Sequence, residues 1–325
     1  MSKFIYSFSI IFFGLFLGYI IQVFVNRHIL RLPLPIDRLR KLLQHVALLF
    51  VNPVAIIGAI WIVDIQNVRL VALPFIGLFA LLAGGVLALG AAKLLRLENK
   101  KTGAFYGCGS FTNIGSIGAL VCFVFLGEPG FALVPIYKLF EEVSYYGVGF
   151  PIAKYYSGGS SEDEGMKSRL KGLAKDPFII VAISSILLGG FLNFSGLERP
   201  GFYATVNAVF IPLGTIMLLS SIGLALKFRR VRDYIKESVF VSVIKFGIVP
   251  VLVSMLAVVI GFGNIDAGLP LKVVIILSSM PVAFNALIPP SIYDLDLDLA
   301  NSCWFVTTSM LIIVLPVLLI VVSSF

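Results

Sequence analysis

Charged residues are scarce in this chain: Asp, Glu, Lys and Arg make up 13% of its 325 residues, where a soluble domain carries about 25%. Histidine is rarer still, with only His28 and His45, both at the ends of apolar runs. That excludes a zinc protease built on His-Glu-x-x-His and a membrane serine protease, each of which needs histidine at depth. The aspartates that could form a catalytic pair, Asp294, Asp296 and Asp298, lie in a polar interruption, so no intramembrane enzyme is expected. Cysteine is limited to Cys108, Cys122 and Cys303, all inside apolar runs, where a thiol behaves as a small buried hydrophobe. No disulfide, metal site or cofactor is expected.

What the chain has in abundance is apolar length. Hydrophobic residues make up 59% of it and the mean hydropathy is +1.02, which excludes a water-soluble fold. A crossing of the ~30 Å hydrocarbon core takes about 20 apolar residues. Apolar runs near 4–25, 42–63, 70–92, 103–126, 130–153, 177–195, 203–226, 236–262, 270–293 and 299–322 predict ten transmembrane helices in an all-α integral membrane protein. Turn chemistry marks the interruptions, as in Gly127-Glu128-Pro129-Gly130 and Arg199-Pro200-Gly201. The first run has only Lys3 ahead of it and Arg27 and Arg31 behind, the reverse of a cleaved signal peptide, so it is expected to stay.

The net charge of +8 does not point to nucleic acid, because the basic residues sit in short loops, where they set membrane orientation. Nineteen Lys and Arg follow the odd-numbered spans, and four, Lys3, Arg69, Arg199 and Lys272, fall on the other side. The odd loops are therefore expected in the cytoplasm and both termini outside, in the cell (inner) membrane. The stretch Ser157-Gly-Gly-Ser-Ser-Glu-Asp-Glu-Gly165 reads as a flexible linker at the midpoint. It divides the chain into residues 1–156, a cytoplasmic linker 157–176, and residues 177–325, with five spans in each half. An odd number per half inserts the second half upside down, the topology of an inverted repeat. Phe16-Leu-Gly-Tyr-Ile20 resembles Leu187-Leu-Gly-Gly-Phe191 at an offset of 171, and an offset of 172 superimposes Asn113 on Asn285.

The fourth span contains Gly107-Cys-Gly-Ser-Phe-Thr-Asn-Ile-Gly-Ser-Ile-Gly118, a poor sequence for a straight helix. The ninth contains Met280-Pro-Val-Ala-Phe-Asn-Ala-Leu-Ile-Pro-Pro-Ser291, where each proline removes a backbone donor and crowds the preceding turn. Gly109, Gly115, Pro281, Pro289 and Pro290 are therefore the expected helix-breaking positions. Irregular backbone at that depth is tolerated only where it is buried in protein or lines an aqueous cavity. Paired interruptions are the best sequence pointer to a transporter's binding site, since half-helix N-termini carry partial positive charge and free N–H groups that suit a carboxylate. Asn113, Asn285, Thr112, Ser110 and Phe284 are the candidate substrate-binding residues. The bland alternative is that the asparagines only satisfy freed backbone groups while the glycines serve helix packing.

Charge within the spans is a second signal. Lys138, Glu141 and Glu142 share one face of the fifth span, and Lys245 lies near the middle of the eighth. Each costs about 2.5–3.5 kcal/mol at the bilayer centre on insertion scales, so all four are expected to face the protein interior as a compact neutral cluster. Glu141 or Glu142 is the candidate site for a coupling proton or ion. Lys245 is the candidate for holding substrate charge or balancing half-helix C-termini. A static ion-pair cluster fixing the packing is the structural alternative.

Taken together, Gly109-Ser-Phe-Thr-Asn-Ile-Gly115, Asp176-Pro177, Pro212-Leu-Gly-Thr-Ile-Met-Leu-Leu-Ser-Ser-Ile-Gly-Leu-Ala-Leu226, Met280-Pro-Val-Ala-Phe-Asn285 and Leu315-Pro316 give the chain a resemblance to the auxin efflux carrier family in its short bacterial form. That family sits within the wider group of bile-acid, arsenite and riboflavin transporters. The resemblance implies two inverted five-helix repeats, with the fourth and ninth helices crossing at their breaks and substrate beside Asn113 and Asn285. It implies a scaffold of spans 1, 2, 6 and 7, often a homodimer, and a mobile domain of spans 3–5 and 8–10 that shifts like an elevator. It also implies organic anions such as auxin or dicarboxylates as substrates. The Lys138-Glu141-Glu142 cluster is not part of the family's pattern. A sodium-coupled symporter of the bile-acid type and a membrane ligand sensor without flux are the remaining alternatives.

Overall fold

The computed structural model describes residues 2–30, 32–63, 67–158, 175–226 and 231–324. Arg31, the stretch 227–230 with its basic Lys227, Arg229 and Arg230, and nearly all of the expected linker 157–176 lie outside the described residues. Among the described residues all regular secondary structure is helical, joined by one isolated β-bridge. Seven helices among the described residues are long and apolar enough to cross a membrane: Lys3–Asn26, Ile36–Ile60, Val68–Leu94, Ile114–Tyr156, Pro177–Phe194, Phe202–Gly223 and Val231–Ile260. An eighth is reached if Leu297–Ser309 and Leu311–Ser323, bent by 47°, count as one span.

Seven or eight such helices fall short of the ten expected, and the shortfall has a physical cause. The fourth and ninth runs are interrupted, leaving first halves Asn99–Ser110 of 12 residues and Leu269–Ser278 of 10, each too short to cross alone. Ile114–Tyr156 spans 43 residues, about twice one crossing, and is kinked at Gly127, whose φ of 76° lies in the left-handed region.

Prolines shape the helices with a regular device. Three π-helical turns, Ala47–Val51, Tyr145–Gly149 and Ile244–Ile248, are each followed by one residue and then Pro53, Pro151 or Pro250. A proline offers no N–H to the carbonyl four residues back and its ring presses on that carbonyl. Widening the turn by one residue relieves the clash without breaking the helix.

The chain clusters into two compact units. The first comprises residues 1–64, 115–135 and 176–227; the second comprises 65–114, 136–175 and 228–325. Within the first unit, Gly14 and Gly18 form a small-xxx-small pair that lets Ser2–Asn26 approach Phe202–Gly223 closely. A Cβ on Gly18 would strike the carbonyl of Ser220, and one on Gly223 would strike that of Leu15. Asp176 caps Pro177–Phe194, its carboxylate accepting from the N–H groups of Phe178 at 2.8 Å and Ile179 at 3.3 Å. At the kink after Gly127, Glu128 accepts from the Arg199 guanidinium and, at 2.9 Å, from Asn207 Nδ2. Arg199 also donates to the carbonyl of Gly58 at 2.9 Å.

Within the second unit, Leu73–Leu94 packs against Asn99–Ser110. Gly84 and Gly109 allow their backbones to touch, and Ser110 Oγ donates to the carbonyl of Leu81 at 2.9 Å. All three cysteines are buried and free.

Candidate functional site

Both interruptions lie in the second unit. The helix Asn99–Ser110 ends at Phe111, which turns to extended backbone at φ −77°, ψ 126°, and the extended stretch runs over 111–113. Leu269–Ser278 ends at Ser279, the chain is irregular to Ala283, and it resumes as the 3₁₀ turn Phe284–Leu287 and the short helix Ile288–Ile292. The two stretches meet as an antiparallel pair with Thr112 opposite Val282. Asn113 N donates to the carbonyl of Pro281 at 2.9 Å, and Ala283 N donates to that of Phe111 at 3.1 Å.

In this pairing Thr112 and Val282 form the non-hydrogen-bonded pair, so their own N–H groups point outward and need other partners. Thr112 N donates to Tyr145 Oη at 3.2 Å, and the Tyr145 hydroxyl also lies 3.2 Å from the Thr112 carbonyl. Val282 N donates to Thr307 Oγ1 at 3.2 Å. The Tyr145 ring stacks on Phe111 with centroids 3.9 Å apart, which holds its hydroxyl at the crossing.

A polar chain runs through this point. Lys138 Nζ pairs with Glu141 Oε2 at 2.9 Å, and Tyr145 Oη donates to Glu141 Oε1 at 2.8 Å. On the other side, Lys245 Nζ donates to Thr112 Oγ1 at 2.7 Å and to the carbonyl of Ser110 at 3.2 Å. Glu141 is 5% exposed and Lys245 1%. Lys245 Nζ hydrogen-bonds the Ser110 carbonyl and the Thr112 hydroxyl rather than a glutamate, and its link to Glu141 passes through Thr112 and Tyr145. Glu142, one residue on, is half-buried.

The other sequence candidates fall as follows. Ser110 and Thr112 are buried at the crossing, and Asn113 is the last residue of the first interruption, 6% exposed. Asn285 is not its positional twin, because it lies in the 3₁₀ turn two residues beyond the second interruption. It is half-buried. Phe284 meets the Trp304 ring edge-on at 6.2 Å. Of the expected helix-breakers, only Pro281 sits in an interruption. Gly109 lies inside Asn99–Ser110, where its lack of a side chain serves the contact with Gly84; Gly115 lies in the π turn Ile114–Gly118. Pro289 and Pro290 occupy the start of Ile288–Ile292, where a missing N–H leaves nothing unsatisfied.

Sequence reasoning missed Tyr145, Thr307 and Trp304. Tyr145 could have been found, since it stands four residues after Glu141 on the same face. Trp304 Nε1 and Thr308 Oγ1, one turn apart on Leu297–Ser309, are buried without a hydrogen-bond partner among the described residues.

No protein-family model matches the chain. It is similar to two archaeal proteins, each named an uncharacterized transporter. That of Methanothermobacter thermautotrophicus is 25% identical over 275 residues, covering 84% of this chain and 86% of its own. That of Methanocaldococcus jannaschii is 28% identical over 261 residues, covering 77% and 78%. The apolar helices are those of a multi-pass helical membrane protein, and both relatives carry the name transporter.

Proposed function

We propose that the protein is a secondary carrier of a small organic anion, a carboxylate, bound beside the crossing of residues 111–113 and 281–283. The observation that carries this reading is a pair of buried donors without acceptors among the described residues, Trp304 Nε1 and Thr308 Oγ1, on the helix whose Trp304 ring meets Phe284 just beyond the second interruption. Buried donors are nearly always paired, and an unpaired one costs about 1–3 kcal/mol, so a ligand that supplies acceptors relieves them. A carboxylate offers about four lone-pair sites to such donors. Asn113 and Asn285 are the proposed amide contacts, with Thr112, Ser110 and Phe284 shaping the site.

The ten-span inverted repeat, the elevator-like shift and the homodimer belong to this proposal, as does an inner-membrane location with both termini outside. The mobile role goes to the unit that holds both interruptions, and the scaffold role to the unit containing spans 1, 2, 6 and 7. A melting series of the purified protein against mono- and dicarboxylates tests the binding claim, followed by uptake of the stabilising compounds into proteoliposomes. Stabilisation by one carboxylate class with matching uptake is expected. Stabilisation only by cations or neutral solutes overturns the anion reading, and binding without flux makes the protein a sensor.

A further inference from the structure

A half-helix C-terminus exposes carbonyl oxygens at the negative end of the helix dipole, and in broken-helix carriers such oxygens hold the coupling cation while half-helix N-termini face the anion. Here the corresponding oxygens are the Ser110 carbonyl, the last of Asn99–Ser110, and Thr112 Oγ1. Both accept hydrogen bonds from one group, Lys245 Nζ, at 3.2 and 2.7 Å. Lys245 arrives from a helix 135 residues along the chain and is 1% exposed. An ammonium is a compact point charge with three donors, the nearest that a side chain comes to a free monovalent cation.

We infer that Lys245 is a tethered cation occupying the place of a coupling ion at the crossing, so that the carrier works without sodium. This rests on the proposed transport function and decides its coupling ion. The second interruption differs in kind. The helix Leu269–Ser278 ends on hydroxyls that turn back on their own chain, Ser278 Oγ to Val274 O and Ser279 Oγ to Ile275 O, both at 2.7 Å. Among the described residues, then, the first interruption is held by a charged side chain and the second by hydroxyls.

The test compares melting temperatures of the purified protein in sodium, potassium and choline chloride at equal ionic strength. Wild type is expected to melt at the same temperature in all three. A bound coupling ion changes the affinity of its partner site by about 5–150-fold, and binding to the folded state alone raises the melting temperature. A rise specific to sodium would therefore overturn the inference. Lys245→Ala is expected to melt lower in choline and to regain part of the loss when methylammonium chloride, but not tetramethylammonium chloride, is added. Lys245→Ala melting like wild type without amine also overturns it. If this variant does not fold, the wild-type ion series decides alone. No flux is measured in either arm, so failure of every uptake assay would sink the carrier reading and leave this result standing.

Discussion

Thr112 and Val282 face each other across an isolated antiparallel pair formed where two interrupted helices meet. Their outward N–H groups donate to side-chain hydroxyls, Tyr145 on one side and Thr307 on the other. The crossing is thus a piece of extended backbone whose N–H groups are all donated, held inside a helical unit, and it can be tested bond by bond.

Ala283 is the cleanest place to remove one bond. Its φ of −70° already suits proline, so Ala283→Pro keeps the backbone angle while it deletes the N–H donated to Phe111 O and presses its ring on that carbonyl. The lost bond and the crowding together are expected to lower stability by about 3 kcal/mol or more, read as a drop in melting temperature in detergent.

Tyr145→Phe keeps the ring stacked on Phe111 and removes the hydroxyl shared by Thr112 and Glu141. A loss of about 1–3 kcal/mol and slower carboxylate uptake are expected. Tyr155→Phe, at a residue 77% exposed, should change neither.

Trp304→Phe separates binding from folding. The ring contact with Phe284 survives while the unpaired Nε1 donor is lost. The melting temperature without ligand is expected to hold or rise, and the stabilisation by carboxylate to fall. A variant that melts lower and binds as tightly as wild type would assign Trp304 to packing alone.

The Arg199–Glu128 pair has side chains only 11% and 15% exposed, so it should behave as a buried ion pair. Removing one partner, as Arg199→Met or Glu128→Gln, is expected to cost about 3 kcal/mol. Combining the two should cost less than the sum of the single changes, since neither charge is then left alone.

Lys100 holds the Asp294 carboxyl below the usual aspartate range through a hydrogen bond, with its charge adding to the effect. Because the folded value is the depressed one, the contribution is present above the ordinary aspartate pKa and fades as pH falls through the folded value. Asp294 is fully exposed, so Asp294→Asn is expected to remove only a small acid-side slope from a plot of melting temperature against pH.

Much of this was legible in the sequence because it depends on local chemistry. The dense runs of glycine and proline over 107–118 and 280–291 signalled that the backbone is interrupted there, and Lys138 and Glu141, three residues apart, meet on one helix face. The destination of Lys245 was not legible, since it is decided by packing between helices 135 residues apart. Gly109 misled for a similar reason: a glycine that permits close helix contact and one that ends a helix look alike until the neighbour, Gly84, is known. The two asparagines matched in sequence but not in place, because the second interruption reaches from 279 to 283 while the first covers only 111–113.

The most direct test of an anion site at the interrupted helices is the accessibility of position 285. Asn285→Cys, made after the buried Cys108, Cys122 and Cys303 are replaced by alanine, is reconstituted and exposed to a membrane-impermeant maleimide with and without the carboxylates that raise the melting temperature. The account predicts that the new thiol reacts and that those carboxylates slow the reaction. A folded protein whose thiol never reacts, or reacts at one rate whatever carboxylate is present, would contradict it.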